Sequence, residues 1–341
     1  MKFKTDFRVL APSLVLLVLG LVVPLFFESS FHLRIAMLIL VYSILGFSFN
    51  LLFGLAGQLS LGQPGFFAIG GYSIAMLQSN LNWPIYFAFP TALVICAVAA
   101  LLIGLPLLRM RSHYLAMATL MFGLIIEGLA LRWFNFTGGS AGVVVPILHF
   151  GDWQLTKSSL YYFVLVVAVL AFLVHAFLIS TFAGRAFHAI RSDETAARSL
   201  GIAVTSYKLR LFILSAVFAG LAGVMCGLVT RQVDPSYSAI TINISLLTLA
   251  VVGGMRSKIG PILGAVVVII LPQLLTSLHQ FEPVLYGTIL LGFLIFLPRG
   301  LAGFIEQRPS KPALSVDPVV GPDNNTSTLS GAKEQEVAHV R

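Results

Sequence analysis

The amino-acid sequence predicts an all-α polytopic membrane protein with about ten transmembrane helices. Three observations predict it. Of 341 residues, 58% are hydrophobic and only 10% are charged, whereas a soluble domain carries roughly a quarter charged residues to cover its surface. The apolar residues fall in runs close to the ~20 residues that cross a bilayer as a helix. The charges fall in short clusters between those runs. Lys and Arg number 21 against 13 Asp and Glu, but in this arrangement the excess marks membrane orientation rather than a face for nucleic acid. A conventional soluble enzyme, a disordered chain and a nucleic-acid-binding domain are excluded.

The first apolar run covers residues 9–27. Lys2, Lys4 and Arg8 precede it, as in a signal peptide. The run is long for that role and no small-x-small site follows Phe27, so a retained anchor is expected. The second span covers 35–53, and a Gly-rich stretch separates it from a shorter apolar piece at 65–77. Further spans cover 84–108, 114–131, 160–179 and 209–229, then 240–252, 259–275 and 284–297. The third and eighth are shorter than a usual crossing.

The loops supply the orientation. With the N-terminus inside, one set of loops and the C-terminal segment hold 17 of the 21 basic residues. The opposite loops hold only Arg34, Arg132, Lys157 and Arg231. Both termini are therefore expected in the cytoplasm. The organisation expected is a transmembrane domain over 1–303, with an inside loop at 180–208, and a tail over 304–341. That tail is polar and rich in Pro, Ser and Asn, so disorder is expected there. Cys96 and Cys226 lie inside apolar spans and read as small buried hydrophobes.

The 180–208 loop is the longest inside loop before the tail. Ala186, Ile190, Ala197 and Leu200 recur at helical spacing, which predicts one or two short amphipathic helices. Ser192 is a plausible N-cap, with Asp193 and Glu194 in the first turn, and Gly201 a plausible stop. Charge alone would also suit a solvated loop that merely enforces topology. Small residues ending at Gly suit a knob that enters a partner's groove.

The run Glu194-Thr195-Ala196-Ala197 followed by Gly201 resembles the coupling motif of ABC-importer permeases. The flanking Gly184-Arg185-Ala186 and Ala189-Ile190-Arg191 resemble the version found in LivM-type branched-chain amino acid permeases. The stretch from Gly54 to Gly62, continued by Gly65-Phe66-Phe67-Ala68-Ile69-Gly70, resembles that family's early Gly-rich signature. Thr137-Gly138-Gly139, Val252-Gly253-Gly254, Gly260-Pro261-Ile262-Leu263-Gly264 and Leu297-Pro298-Arg299-Gly300-Leu301 follow in the family's order. The chain departs at Met255-Arg256-Ser257-Lys258, which is more basic than in many relatives, and at Gln63, where many carry His.

The resemblance implies an inner-membrane permease subunit of an ATP-driven importer for branched-chain or related amino acids. It implies two cytoplasmic ABC ATPase subunits, a second homologous permease and a periplasmic substrate-binding protein as partners. It also implies that 184–202 docks on an ATPase. Arg185, Arg191 and Glu194 would then supply polar contacts, and Ala196, Ala197 and Gly201 the fit. No G-x-x-x-x-G-K-[ST] occurs, so the chain carries no P-loop, and ATP would be used by the partners. No cofactor, metal site or catalytic role is expected.

The substrate pathway has its own candidates. Gly54, Gly57, Gly62, Gly65, Gly70 and Gly71 with Pro64 cannot make one regular stiff helix. Broken backbone at membrane depth persists only where it is buried in protein or lines a wet cavity. Gln58, Ser60 and Gln63 would offer neutral polar groups there; close helix packing is the competing reading. The segment from Gly253 to Gly264 is interrupted in the same way, and paired interruptions point toward a pathway. Glu127 is the one acid well inside a span, where a charge costs about 2–3 kcal/mol on insertion scales. It would meet a substrate ammonium, or else lie near the interface or pair with a neighbour. Gly138 and Gly139 complete the candidates. His175, near the inner end of its span, reads as a packed or interfacial histidine rather than a ligand. Two alternatives stay open: a urea or short-amide ABC permease, and an ion-coupled secondary transporter, which would usually carry more intramembrane ionisable residues.

Overall fold

The computed structural model describes residues 20–21, 29–110, 112–146, 149–150, 153–154, 156–255, 257–275, 282–297 and 300–305. The expected first span lies outside these residues except for Gly20 and Leu21, which are helical. Arg256 and the tail from 306 onward also lie outside them.

The described residues are helical apart from four two-residue strands and the turns. α1 (Ser30–Phe49) runs directly into a π-helix, Asn50–Leu55. α2 (Gln63–Ser79), α3 (Ile85–Leu107), α4 (Ser112–Arg132) and the one-turn α5 (Phe134–Thr137) follow. Next come α6 (Lys157–Ser180), α7 (Phe182–Ser192), α8 (Glu194–Ser199) and α9 (Val204–Thr230). The last are α10 (Ile240–Gly253), α11 (Gly260–Leu275), α12 (Glu282–Phe296) and α13 (Gly300–Ile305). Five segments among the described residues are long and apolar enough to cross a membrane: Ser30–Leu55, Ile85–Leu107, Tyr114–Arg132, Lys157–Ser180 and Val204–Thr230. α10 and α11 are shorter apolar helices. Each matches an expected span to within a turn or two of helix.

The core is built around α2 and α9. α2 is buried along nearly its whole length, as befits a helix that is apolar all round. α9 packs against α1, α2 and α3. Between apolar helices in lipid, close backbone approach replaces the hydrophobic drive that operates in water. Here the approach is made by Gly70 and Gly220: a Cβ on Gly70 would sit 2.6 Å from the Gly220 Cα. α1 is also flanked by α6 and by the α10–α11 pair. The described end of the first span joins this bundle, because Tyr161 Oη donates to the Gly20 carbonyl at 2.7 Å.

At one end, β1 (Val143–Val144) pairs antiparallel with β4 (Gln232–Val233) and ties the segment after α5 to the end of α9. β2 (His149–Phe150) and β3 (Trp153–Gln154) form a small hairpin. Tyr237, in the 3-10 turn Pro235–Ser238, packs on Phe67 at 4.9 Å and meets Thr230 Oγ1 at 2.9 Å. Burial pushes the Tyr237 phenol pKa up, so the hydroxyl stays a donor, to the Gln232 carbonyl at 3.0 Å.

Candidate functional site

The Gly-rich stretch is broken, as its composition predicts. α1 loosens into the π-helix, the chain turns through residues 57–62 with Gly57 at φ +67°, and α2 starts with Pro64 in its first turn. A π-turn is uncommon and recurs at functional sites. Here side chains from distant helices hold it. Asn50 Nδ2 donates to the Met255 carbonyl at 3.0 Å, just beyond α10. Its Oδ1 faces His175 Nε2 at 3.3 Å, so that nitrogen carries the proton. His175 is fully buried and stacks on Phe47 with ring centroids 4.8 Å apart. It is a packed histidine, as expected, but one that grips the π-helix. The Asn50–His175 pairing has no local sequence signal, since the two residues are 125 positions apart.

Ser60 and Gln63 are each 1% exposed, and both are engaged by protein. Ser60 Oγ donates to Gln63 Oε1 at 3.3 Å, and Gln63 Nε2 donates to Ser215 Oγ at 2.8 Å. Ser215 Oγ bonds the Ser48 carbonyl at 2.9 Å, and Ser48 Oγ bonds the Ser215 carbonyl at 2.8 Å. The polar groups of the break therefore tie α2 to α9 and α1. Ser48 and Ser215 belong to this unit, and hydropathy gave no hint of them. Gln58 is 5% exposed and its Oε1 has no partner among the described residues.

The coupling segment forms two helices, α7 and α8. Ser192 is not the cap: it ends α7, with its hydroxyl on the His188 carbonyl at 3.0 Å. Asp193 caps α8 instead, its Oδ1 accepting from the Thr195 and Ala196 amides at 2.7 and 3.1 Å. A carboxylate suits that place, because it satisfies two orphan amides at the positive end of the helix. Gly201 is the stop: it sits at φ +81° and the Ile202 amide returns to the Ala197 carbonyl at 3.1 Å.

The six predicted coupling residues divide. Phe187, Ile190 and Ala197 are buried, whereas Leu200, expected on the apolar face, is 79% exposed. Ala196 is exposed. A Cβ at Gly201 would meet nothing within 4 Å, so the α8 end presents a bare apolar knob. Arg185 lies exposed with its guanidinium 3.9 Å over the Phe182 ring. Glu194 pairs with Lys208 and lies 3.9 Å from Arg198. Arg191 turns inward. Its Nη1 donates to the Gly54 carbonyl in the π-helix, and its stem lies against Gly57.

α4 carries the remaining candidates. Leu115, Ala116, Thr119, Gly123 and Ala130 form a buried stripe at helical spacing. Thr119 Oγ1 accepts from the Leu61 amide at 3.0 Å, joining the stripe to the break. Glu127 continues the stripe about 12 Å further along. It is half-buried and makes no ion pair or hydrogen bond with a described residue. Gly138 (φ +68°) and Gly139 (φ +60°) form the turn beyond α5, fixed by Thr137 Oγ1 on the Ala130 and Trp133 carbonyls at 2.6 and 2.8 Å. The structure thus brings the Gln58–Gln63 turn to one end of α4, with Arg191 on Gly54 and Gly57 just before that turn, and Gly138 and Gly139 to the other end of α4.

No solved structure matches the chain. The LivM high-affinity branched-chain amino acid transport system permease protein of Escherichia coli K12 is 33% identical over 311 residues, covering 84% of this chain and 73% of that protein. The LivH permease protein of the same strain is 23% identical over 77% of this chain and 91% of its own length. YjfF, an inner membrane ABC transporter permease protein of that strain, is 25% identical over 77% of the chain and 82% of its own length. The family model described as branched-chain amino acid transport system / permease component matches residues 31–298. The chain belongs to this family and is a multi-pass, non-catalytic permease subunit of an ABC transport system.

Proposed function

We propose that the chain is one of two homologous permeases of an importer for branched-chain or related amino acids in a bacterial cytoplasmic membrane. In this reading it crosses the membrane about ten times over residues 1–303, and its termini and the 304–341 tail lie in the cytoplasm. A periplasmic binding protein delivers substrate. Two cytoplasmic ABC ATPases use the ATP. α7 and α8 dock on one of them, with Leu200 and Gly201 as the knob, Ala196 and Ala197 setting the fit, and Arg185 and Glu194 at the rim. Glu127 and the Gly138–Gly139 turn line the route beyond the break.

One observation carries this reading: the Arg191 guanidinium holds the Gly54 carbonyl. A docking segment bonded to the distorted part of a membrane helix can pass a displacement to it. Such a link favours transport only if the ATPase binds the two permease states unequally. The π-helix is where α1 can reset its winding, because its extra residue per turn is a defect able to move.

A tagged chain, extracted with its membrane partners, should bring ATPase subunits with it and should support ATP-dependent uptake when reconstituted. Isolation without an ATPase, together with uptake driven by an ion gradient, overturns the reading.

A further inference from the structure

A cavity of about 380 Å³ opens between the Gly57-Gln58 turn, the α3–α4 connection and the start of α9. Its wall carries three cations, Arg109, Arg198 and Lys208, against one acid, Glu194. Lys208 is paired with that acid and Arg198 lies 3.9 Å from it, so the wall as a whole carries an excess of two positive charges. Arg109 has no side-chain acceptor among the described residues. Gln58 supplies an independent observation. It lines the same cavity, is 95% buried on its 5% exposure, and its Oε1 has no donor. A buried acceptor left open costs about 1–3 kcal/mol, and this one is closed to solvent, so a rotation of the Gln58 side chain into the cavity is what brings it to a donor there.

The approach to the cavity is apolar. Val94, Val98, Leu101, Leu102 and Leu105 are exposed on one face of α3, between 41% and 66%. That stripe leads to Arg109 and Met110 at the cavity. An exposed aliphatic stripe on a membrane helix is an acyl-chain surface, and a basic pocket between helix ends is a headgroup surface.

We propose that this cavity binds a phosphate ester whose alcohol carries hydroxyl donors: the headgroup of phosphatidylglycerol, with its acyl chains along α3. Arg109 and Arg198 hold the phosphate, since a planar guanidinium matches two phosphate oxygens at once. A glycerol hydroxyl donates to Gln58 Oε1. The cytoplasmic orientation proposed above decides only which leaflet supplies the lipid. The site adjoins the turn that Arg191 grips, so its occupancy bears on the same segment of backbone.

The test uses the assembled transporter, purified in detergent and equilibrated with mixed micelles. Native mass spectrometry reads the lipid it retains. The wild-type complex should keep phosphatidylglycerol over phosphatidylcholine by on the order of tenfold, as two phosphate-binding guanidiniums warrant. The preference should disappear in the Arg109→Gln/Arg198→Gln variant and survive in part in Arg109→Lys/Arg198→Lys. Gln58→Leu keeps the charges, so it should still retain phosphatidylglycerol but lose the preference for it over phosphatidic acid, which lacks the glycerol headgroup. Equal retention by the wild type and the Arg109→Gln/Arg198→Gln variant overturns the proposal. So does saturation by millimolar inorganic phosphate without lipid preference, which assigns the site to free phosphate. A photocrosslinker at position 109 that labels an ATPase subunit instead of lipid assigns the cavity to protein docking and also overturns it. Retention is measured without transport, so a negative result leaves the importer reading standing.

Discussion

The guanidinium of Arg191, at the end of α7, donates to the carbonyl of Gly54, in the π-helix that follows α1. The residues are 137 positions apart. Their bond connects the segment that resembles a coupling motif to the π-helical turn of the bundle. A guanidinium–carbonyl bond of this kind contributes about 1.5–3 kcal/mol.

Arg191→Ala is therefore expected to leave assembly and ATP hydrolysis largely intact but to lower substrate moved per ATP by roughly tenfold or more, since about 1.4 kcal/mol is a factor of ten. Lysine keeps the charge but places a differently shaped point donor, and should restore only part of the loss. The measurement is the ratio of uptake to hydrolysis in proteoliposomes. An unchanged ratio in Arg191→Ala removes the link from the mechanism.

Gly201 separates backbone strain from docking. Its φ of +81° disfavours any side chain with a Cβ, yet a Cβ there meets no atom within 4 Å. A β-branched residue in this region costs about 1–2 kcal/mol, whereas Asn tolerates it better. If the knob seats in a partner groove, Gly201→Val and Gly201→Asn should both insert normally and both lose ATPase co-purification. If only strain matters, Gly201→Asn should behave like wild type. Co-purification of the two variants, matched for expression, distinguishes the outcomes.

Much of this fold is legible in the sequence, because hydropathy and Gly/Pro punctuation are local signals. The long helices, the break after Gly57 and the end of α8 at Gly201 follow from them. The partners that hold the break are not local. Ser48 and Ser215 lie 167 residues apart, and nothing in the period of either helix says which face meets which. Asn50 reads as a minor polar residue within an apolar run, yet the π-turn depends on it. The inward turn of Arg191 was equally hidden, since a basic residue in an inside loop already has a sufficient reason to be there. Of the candidate polar groups, Ser60 and Gln63 are sealed into helix contacts, whereas Gln58 keeps an unpartnered atom beside a cavity.

The Ser48–Ser215–Gln63 unit sets a stability expectation. Interhelical hydrogen bonds in membrane proteins average only about 0.6 kcal/mol, so losing one bond should matter little. Ser215→Ala does more, because it leaves the Gln63 amide facing a methyl group in a dry site, while Ser48 Oγ keeps its bond to the Ser215 carbonyl. The expected loss is about 1–3 kcal/mol. The Ser60→Ala/Gln63→Leu double variant removes the amide together with the hydroxyl that donates to it, and should cost less than Ser215→Ala. Thermal unfolding in detergent compares them, and the reverse order would refute the assignment.

Glycines in the bundle differ in what surrounds them. At Gly220 a Cβ would meet the Cys96 Cβ at 3.0 Å and run into its sulfur. Gly220→Val should therefore abolish folded yield, since neither helix can retreat without separating from α2. At Gly128, in α4, a Cβ meets nothing within 4 Å. Gly128→Ala should be neutral or stabilise the isolated chain by up to about 1 kcal/mol through helix propensity. Monodisperse yield and melting temperature are sufficient readouts.

Glu127 bears on the route itself. Its helix turns a buried stripe from Leu115 to Ala130 inward, and Glu127 lies on that stripe, half-buried and without an ion partner among the described residues. A carboxylate in that position costs about 2–3 kcal/mol to insert. Glu127→Gln keeps the shape and removes that cost, so the variant should be at least as stable as wild type. If the carboxylate meets a substrate ammonium, the same change should lower uptake by roughly tenfold, the equivalent of one lost charge-assisted contact, with no change in ATPase co-purification. Greater stability with undiminished uptake would place Glu127 outside the route. It would leave the break and its Arg191 tether as the part of the proposed mechanism that still stands.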